Sequence, residues 1–180
     1  MPKLLTIILT IAALALLLTV TTYAAPTDDL TAPYDTPTVE QLAGALRHDL
    51  VPYAGVYLEA AERYGINVYF LVAKDALESG WGRYRAAPNN LGGWTANDGG
   101  YMAFDSVEDY IDHTARNLRD MYLSPDGIYH TGYTLADIGY YYNGSQEWVE
   151  AVAGIWGTVE RRCVDACREQ TDYPGLSEAH

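Results

Sequence analysis

The segment ALESGWG, residues 76–82, places a carboxylate directly before a turn that contains glycine and an aromatic ring. Gly80 is suited to end a helix, so Glu78 is predicted to lie in a last helical turn, where carbonyl ends disfavour a negative charge. Trp81 beside it can exclude water, which also disfavours the charged form. Both effects would raise the pKa of the Glu78 carboxyl, as a general acid requires. A solvated, inert helix-end glutamate is the alternative interpretation.

A mainly helical domain is predicted to position this carboxylate. A capping-box pattern begins at Thr38, and apolar residues follow at helical spacing. A second helix is predicted over about 52–64. Asn67 can cap a third helix over 68–79, which carries Glu78 near its end.

One small β-hairpin is predicted beside the acid. The segment 89–101 is rich in turn residues, and the apolar run Met102-Ala103-Phe104 follows it. Capping residues at Ser106, Thr134 and Ser145 predict three further helices. The predicted fold class is therefore mainly α, with one β-hairpin next to the groove.

Composition excludes several function classes. The 180 residues carry a formal net charge of −13 with only 11 Lys and Arg, so the chain lacks the clustered cations that bind nucleic acid. Cys163 and Cys167 are the only cysteines, and two such ligands do not make a zinc site. A disulfide between them would require their helix to end or distort. No metal and no cofactor are expected.

Four fragments resemble one family in order and spacing: GINVYFLVAKDALESGWGRY, NNLGGW, GGYMAFDSVEDYID and YNGSQEWVEAV. They are similar to the glucosaminidase-type peptidoglycan hydrolases of glycoside hydrolase family 73, over roughly residues 50–157. The resemblance implies a small, mainly helical lysozyme-like fold with a glycan groove. It also implies cleavage of the β-1,4 bond after N-acetylglucosamine, with peptidoglycan as the partner.

The resemblance carries roles to individual residues. Glu78 matches the catalytic acid, and Tyr142 is a candidate for orienting the substrate. Four further positions are expected to bind glycan: Asn90, Trp94, Tyr101 and Trp148. Trp148 could instead be a helix-start residue that packs on the core.

The family's usual Phe near the cleft is Gly92 in this sequence. We expect this difference to widen or loosen that wall of the groove.

The second catalytic group is left open. Family members often carry a second Glu in a longer hairpin, but here Asp98 is the only acidic residue in the hairpin and Asp105 follows it. Alternatively, the N-acetyl oxygen of the substrate attacks the anomeric carbon, and Tyr142 or Asn90 orients the acetamide. We prefer this second interpretation, with Asp98 as a candidate water-activating or charge-stabilising residue.

Other activities fit the same residues. A lytic transglycosylase or a muramidase of lysozyme-like fold could also use Glu78 as its acid. A noncatalytic cell-wall binding module would keep the aromatic groove without needing Glu78, and an anchored structural protein of the envelope would turn over no glycan.

The chain divides into four predicted parts. Residues 1–24 carry one lysine before an uncharged apolar run, which is typical of a secretory signal peptide or an uncleaved N-terminal anchor. Residues 25–37, rich in Pro and Asp, are predicted to be a linker. Residues 38–160 form the expected catalytic domain, and 161–180 a C-terminal tail. The protein is thus expected to be secreted or extracytoplasmic, with membrane contact only through its N-terminal segment.

Overall fold

The computed structural model describes residues 29–171, which form six α-helices and no β-strand. The helices are α1 (Val39–Ala45), α2 (Ala54–Tyr64), α3 (Val68–Ser79), α4 (Val107–Asn117), α5 (Leu135–Tyr142) and α6 (Gln146–Thr171). A 3-10 segment, His48–Tyr53, leads into α2, and a π-helical segment, Leu118–Leu123, continues α4. The prediction of a mainly helical fold is confirmed.

Helix α3 is the centre of the core. Its residues 68–76 are all buried, and it packs against α2 and the long helix α6. The N–H of Tyr69 donates to the side chain of Asn67 (2.9 Å), and Gly80 ends the helix in a left-handed conformation (φ 58°). Both boundaries agree with the prediction. Because α3 is buried on all sides over most of its length, its neighbours fix the position of the helix that carries Glu78.

The other predicted caps also form. The side chains of Thr38, Ser106 and Thr134 each accept a backbone N–H at the start of α1, α4 and α5. The predicted second helix begins later than expected, at Ala54, because Pro52 lies in the 3-10 segment. Proline lacks the N–H that a continued helix ladder needs.

The predicted β-hairpin is wrong. In the described chain, this region contains a turn closed by an isolated bridge between Thr95 and Tyr101, and the N–H of Met102 donates to the carbonyl of Trp94 (2.8 Å). Two consecutive glycines weaken the returning arm, and a ribbon of two short arms without a third strand is marginally stable. The loop is instead held by side chains, as described below.

The segment 29–37 packs on the helices, which differs from the predicted linker. Leu30 is fully buried, its N–H donates to the carbonyl of Tyr133 (2.8 Å), and its own carbonyl accepts from Asn67 N–H (2.8 Å). The apolar Leu30 can thus join the core although Pro and Asp surround it in the sequence. The predicted signal or anchor, residues 1–24, lies outside the described residues.

Helix α6 extends into the predicted C-terminal tail. It runs without a break to Thr171, and Cys163 on it is buried while Cys167 is exposed. Both cysteines are free, as the unbroken helix geometry requires. Trp156, which also lies on α6, is buried. No helix between residues 29 and 171 is long and apolar enough to cross a membrane.

Candidate active site

A cleft of about 590 Å³ opens above the C-terminal end of α3. Its aromatic lining comprises Tyr84, Trp94, Tyr101, Tyr122 and Tyr142. Glu78 is the only carboxylate among the described residues that line it. No group of three or more His, Cys, Asp or Glu side chains between residues 29 and 171 could hold a metal ion. The cleft thus combines one acid with a wall of amphipathic rings.

The carboxyl of Glu78 is largely withdrawn from solvent. Its side chain is 17% exposed, and its Oε2 lies 3.6 Å from Nζ of Lys74. The hydroxyl of Tyr142 donates to the same oxygen over 3.5 Å. Burial raises the pKa of Glu78, the charge of Lys74 opposes this effect, and the charge of Asp75 adds to it. The net pKa is above the ordinary value, as a proton donor needs.

The direction of this pKa shift agrees with the prediction, but its cause differs. The sequence predicts that Trp81 shields Glu78, yet the Trp81 ring faces the guanidinium of Arg47 at 5.4 Å and does not line the cleft. Trp81 also adopts a left-handed backbone conformation (φ 65°), which turns the chain away after the helix. Burial of Glu78 beside Lys74, Tyr142 and the loop around Gly92 provides the desolvation instead.

A buried ion pair lies directly behind Glu78. Lys74 Nζ contacts Asp75 Oδ1 at 2.5 Å, and both side chains are essentially unexposed. Asp75 also accepts hydrogen bonds from Tyr110 (2.6 Å) and Tyr57 (2.7 Å). Lys74 donates further to Tyr110 (3.1 Å) and Tyr142 (3.3 Å). The pair therefore meets the condition for a tolerable buried ion pair, because hydrogen bonds satisfy its remaining polar atoms.

Lys74 remains charged in this environment. Burial by itself lowers the pKa of Lys74, but the carboxylates of Asp75 and Glu78 more than offset it and leave the pKa raised. A permanent cation is thereby fixed next to the candidate acid. Hydrogen bonds run from Lys74 to the Tyr142 hydroxyl and from that hydroxyl to Glu78, so the phenol is oriented from both sides.

The backbone at Gly92 lies close to the side chains of Glu78, Lys74 and Tyr110. A Cβ at this position would lie 2.8 Å from both Glu78 Oε2 and Lys74 Nζ and still closer to the Tyr110 hydroxyl. Gly92 thus lies tightly against the buried charges, whereas a loosened wall was expected. The backbone approaches the buried charges so closely that no side chain, and least of all a Phe, fits without displacing them.

We predict that Gly92→Ala lowers the turnover of glycan substrate by roughly tenfold to a hundredfold, because a shift of about 1 Å in a catalytic group is that costly. The added methyl would push Glu78, Lys74 or Tyr110 out of the observed contacts. Gly154→Ala is the matched control, because nothing lies within 4 Å of a Cβ there. Equal rates for the two variants would show that the close approach at Gly92 has no functional consequence.

Asn90, which was predicted to bind glycan, lies beneath the cleft and does not line it. It is fully buried, its Nδ2 donates to the carbonyls of Trp94 (2.8 Å) and Met102 (2.9 Å), and its Oδ1 accepts from the N–H of Trp94 (3.0 Å). With its amide used in this way, Asn90 holds the 90–102 loop together. Its side chain replaces the strand pairing that the sequence predicted.

Trp94, Tyr101 and Tyr142 do lie together on the cleft. Trp94 donates from Nε1 to Thr114 Oγ1 (2.8 Å) and meets the Tyr142 ring edge-on, with centroids 6.2 Å apart. Tyr101, on the opposite arm of the loop, is 59% exposed. Trp94 is thus anchored by its polar end while Tyr101 presents a free ring.

Trp148 supports the cleft from behind. Only 7% of the residue is exposed, and its ring lies 5.2 Å from that of Tyr142. Its indole N–H has no hydrogen-bond partner of ordinary geometry but lies close enough to lower the pKa of Glu78. Of its two predicted roles, packing is the one that the structure shows.

Asp98 is not brought to the catalytic carboxyl. It is exposed at the tip of the turn, where its Oδ1 accepts the N–H of Gly100 (3.0 Å), and it does not line the cleft. An Asp two residues before a glycine commonly stabilises a turn in this way. The structure therefore shows Asp98, the candidate second catalytic residue, in a turn-forming role.

Several residues of the site were not predicted from the sequence. Tyr84 and Tyr122 line the cleft, and Lys74 and Asp75 form the ion pair behind it. One signal was present: two adjacent charges, Lys74 and Asp75, interrupt an otherwise apolar stretch of α3. Charges in a buried helix must be paired, which points to a functional or structural network at that position.

Comparison with known proteins identifies one family. The sequence model of the glucosaminidase family, described as mannosyl-glycoprotein endo-beta-N-acetylglucosaminidase, matches residues 54–161. That span holds every residue of the cleft and of the ion pair behind it. No curated protein matches the chain. Because the match covers more than half of the sequence, the chain belongs to the glucosaminidase family, glycoside hydrolase family 73.

Proposed function

We propose that the protein is an endo-β-N-acetylglucosaminidase that cleaves the β-1,4 bond after N-acetylglucosamine in peptidoglycan, with Glu78 as its general acid. Family membership indicates a glycoside hydrolase acting on cell-wall glycan. One observation carries the assignment to Glu78: it is the only carboxylate among the described lining residues of the aromatic cleft, and its pKa is raised. A substrate in the cell wall also implies that the protein acts outside the cytoplasm.

The single carboxylate favours a substrate-assisted reaction. Glycosidases with two protein carboxylates place them on either side of the scissile bond. Here Asp98 lies at an exposed turn and Asp75 is sealed behind Glu78, so neither faces the cleft. The carbonyl oxygen of the substrate's N-acetyl group then supplies the nucleophile. Tyr142, whose hydroxyl is held between Lys74 and Glu78, is the candidate that orients it.

In the substrate-assisted reaction, Glu78 is the only protein group that exchanges a proton. Protonated Glu78 gives its proton to the glycosidic oxygen as the bond from that oxygen to the anomeric carbon breaks. The acetamide oxygen forms a bond to the same carbon, which leaves a cyclic intermediate. Glu78, now ionised, takes a proton from water as that water attacks the anomeric carbon and the acetamide is restored.

Lys74 makes this exchange of roles possible. After Glu78 has donated its proton, the new carboxylate lies 3.6 Å from a fixed cation. The charge of Lys74 lowers the pKa of Glu78 and so limits the rise that burial causes. The carboxyl can therefore lose its proton in the first step and accept one in the second.

The product of digestion tests the proposal. Purified peptidoglycan is digested with the full chain, the products are reduced, and the sugar at each new reducing end is identified by mass spectrometry. N-acetylglucosamine supports the proposed bond. Reduced N-acetylmuramic acid would make the protein a muramidase, and anhydro-muramic ends a lytic transglycosylase, which also uses one acid. Binding without any cleavage would leave a cell-wall binding module.

We predict that Asp98→Asn changes the turnover of peptidoglycan by no more than about twofold, as for an ordinary surface substitution. Asn keeps the side-chain oxygen that accepts the Gly100 N–H, so the turn should persist. The rate is measured beside that of Glu78→Gln on the same glycan. Comparable collapse of both variants would contradict substrate assistance and make Asp98 the second catalytic residue.

A further inference from the structure

We propose that four tyrosines, Tyr122, Tyr129, Tyr141 and Tyr140, form a continuous strip that leads out of the cleft and binds additional sugar units of the glycan strand. We call these four residues the tyrosine strip. The nature of the ligand rests on the proposed function, whereas the existence of the strip as a binding surface does not.

The strip is connected to the cleft ring by ring. From Tyr142 at the acid, the centroid of Tyr122 is 5.9 Å away, and that of Tyr129 is 5.1 Å farther along. The ring of Tyr141 follows at 5.7 Å from Tyr129, and Tyr140 at 4.8 Å from Tyr141. Each step is a direct aromatic contact. Tyr122, which lines the cleft but is only 7% exposed, links the exposed outer rings to the wall of the candidate active site.

The outer rings of the strip are open to solvent. Tyr140 is 71% exposed, Tyr141 50% and Tyr129 36%. Of the ten exposed large apolar side chains in the described chain, five lie between residues 128 and 141. Such a concentration marks a binding surface, because exposed apolar side chains on a soluble domain are usually scattered.

The chemistry of the strip suits a neutral sugar polymer. The faces of tyrosine rings can cover the apolar faces of sugars, while the hydroxyls can hydrogen-bond sugar hydroxyl and acetamide groups. Within residues 29–171, the hydroxyls of Tyr129, Tyr140 and Tyr141 make no hydrogen bond, so they are available to a ligand. Ile128 is the only aliphatic among the five exposed residues of this stretch, so aromatic rings make up most of its exposed apolar surface.

Local structure holds the rings in place before any ligand arrives. The N–H of Tyr129 donates to the carbonyl of Met121 (2.9 Å), and a ring nitrogen of His130 hydrogen-bonds the carbonyl of Tyr122 (2.8 Å). Tyr140 and Tyr141 stand on α5, whose start is fixed by a capping box. A preorganised surface loses less conformational entropy on binding than a mobile one.

The test measures affinity against glycan length. Calorimetric titrations use the full chain carrying Glu78→Gln, which slows cleavage, with β-1,4-linked N-acetylglucosamine oligosaccharides of two to eight units as probes. We expect the affinity to rise beyond the length that fills the cleft. In the same background, Tyr140→Ala with Tyr141→Ala should weaken binding of the longest oligosaccharide by roughly tenfold and leave that of the disaccharide unchanged.

Matched variants separate ring loss from other effects. Tyr133→Ala is the control, since Tyr133 is 37% exposed but contacts His130 and not the strip. Replacing Tyr140 and Tyr141 by Phe should retain most of the length dependence, because the rings remain. Thermal melting checks folding, and Tyr140→Ala alone, at the most exposed ring, replaces the pair if the double variant melts early.

The possible results distinguish the binding role of the tyrosine strip from the proposed enzymatic function. If the double variant keeps the full rise of affinity with length, or if Tyr133→Ala loses as much, the strip does not bind glycan. A change only in oligomeric state, seen by sedimentation, would make the strip an interface between copies and also overturn the proposal. If the strip variants lose the length dependence while the wild-type chain cleaves no peptidoglycan, the strip stands and the proposed enzymatic function fails.

Discussion

Glu78→Gln is expected to lower the turnover of peptidoglycan by a factor on the order of a hundred or more, because general acid catalysis contributes about that much. Gln has nearly the same shape and can still accept the Tyr142 hydrogen bond, but its amide cannot transfer a proton as a general acid. The domain should therefore fold and bind glycan as before. Release of reducing ends from purified peptidoglycan measures the rate, and circular dichroism checks the fold.

Glu59→Gln is the matched control, because Glu59 is exposed on α2 outside the cleft. The pH profile of the wild-type protein gives a second readout. Since the pKa of Glu78 is raised, the proton donor persists above the usual range of a carboxyl, and the rate should fall as the pH rises through that raised pKa. A Glu78→Gln protein with a near-native rate would show that another group supplies the proton.

Lys74→Met should have the largest effect on stability. It leaves the buried carboxylate of Asp75 without its cation, and breaking such a pair lowers the free energy of unfolding by about 3–5 kcal/mol. The loss of the nearby positive charge should also raise the pKa of Glu78 further, so the basic limb of the rate profile should move to higher pH. Denaturant titration and the pH profile measure the two effects separately.

The double variant Lys74→Met with Asp75→Asn tests the cause. It removes both charges, so no unpaired ion remains buried, and much of the lost stability should return. The Asp75→Asn change keeps a side-chain oxygen that can accept from the hydroxyls of Tyr57 and Tyr110. If the double variant is no more stable than Lys74→Met, the destabilisation comes from lost packing around the lysine stem and not from the uncompensated charge.

Much of the fold was predictable from short stretches of sequence because helix boundaries depend on local chemistry. The side chain of Asn67 and the left-handed conformation of Gly80 set the ends of α3 through contacts within a few residues. The same holds for the caps at Thr38, Ser106 and Thr134. The identification of Glu78 as the candidate acid likewise needed only its place in a short motif.

The loop before α4 shows where local patterns stop being informative. Turn residues followed by apolar residues predicted a hairpin, but the 90–102 loop is held mainly through the buried amide of Asn90. Whether a polar side chain meets a ligand or the backbone depends on its burial, which spacing along the chain does not specify. For the same reason, Asp98 at the exposed tip could not be separated in advance from a catalytic carboxylate.

The sequence by itself determined the helices, their caps, the family and the position of one candidate acid, because these depend on residues adjacent in the chain. Only the tertiary structure decided the surroundings of that acid. Tyr110 and Tyr142 reach Lys74 from 36 and 68 residues away, and Gly92 closes over the same charges. Burial and the charges of Lys74 and Asp75 act through space, and together they set the protonation of Glu78.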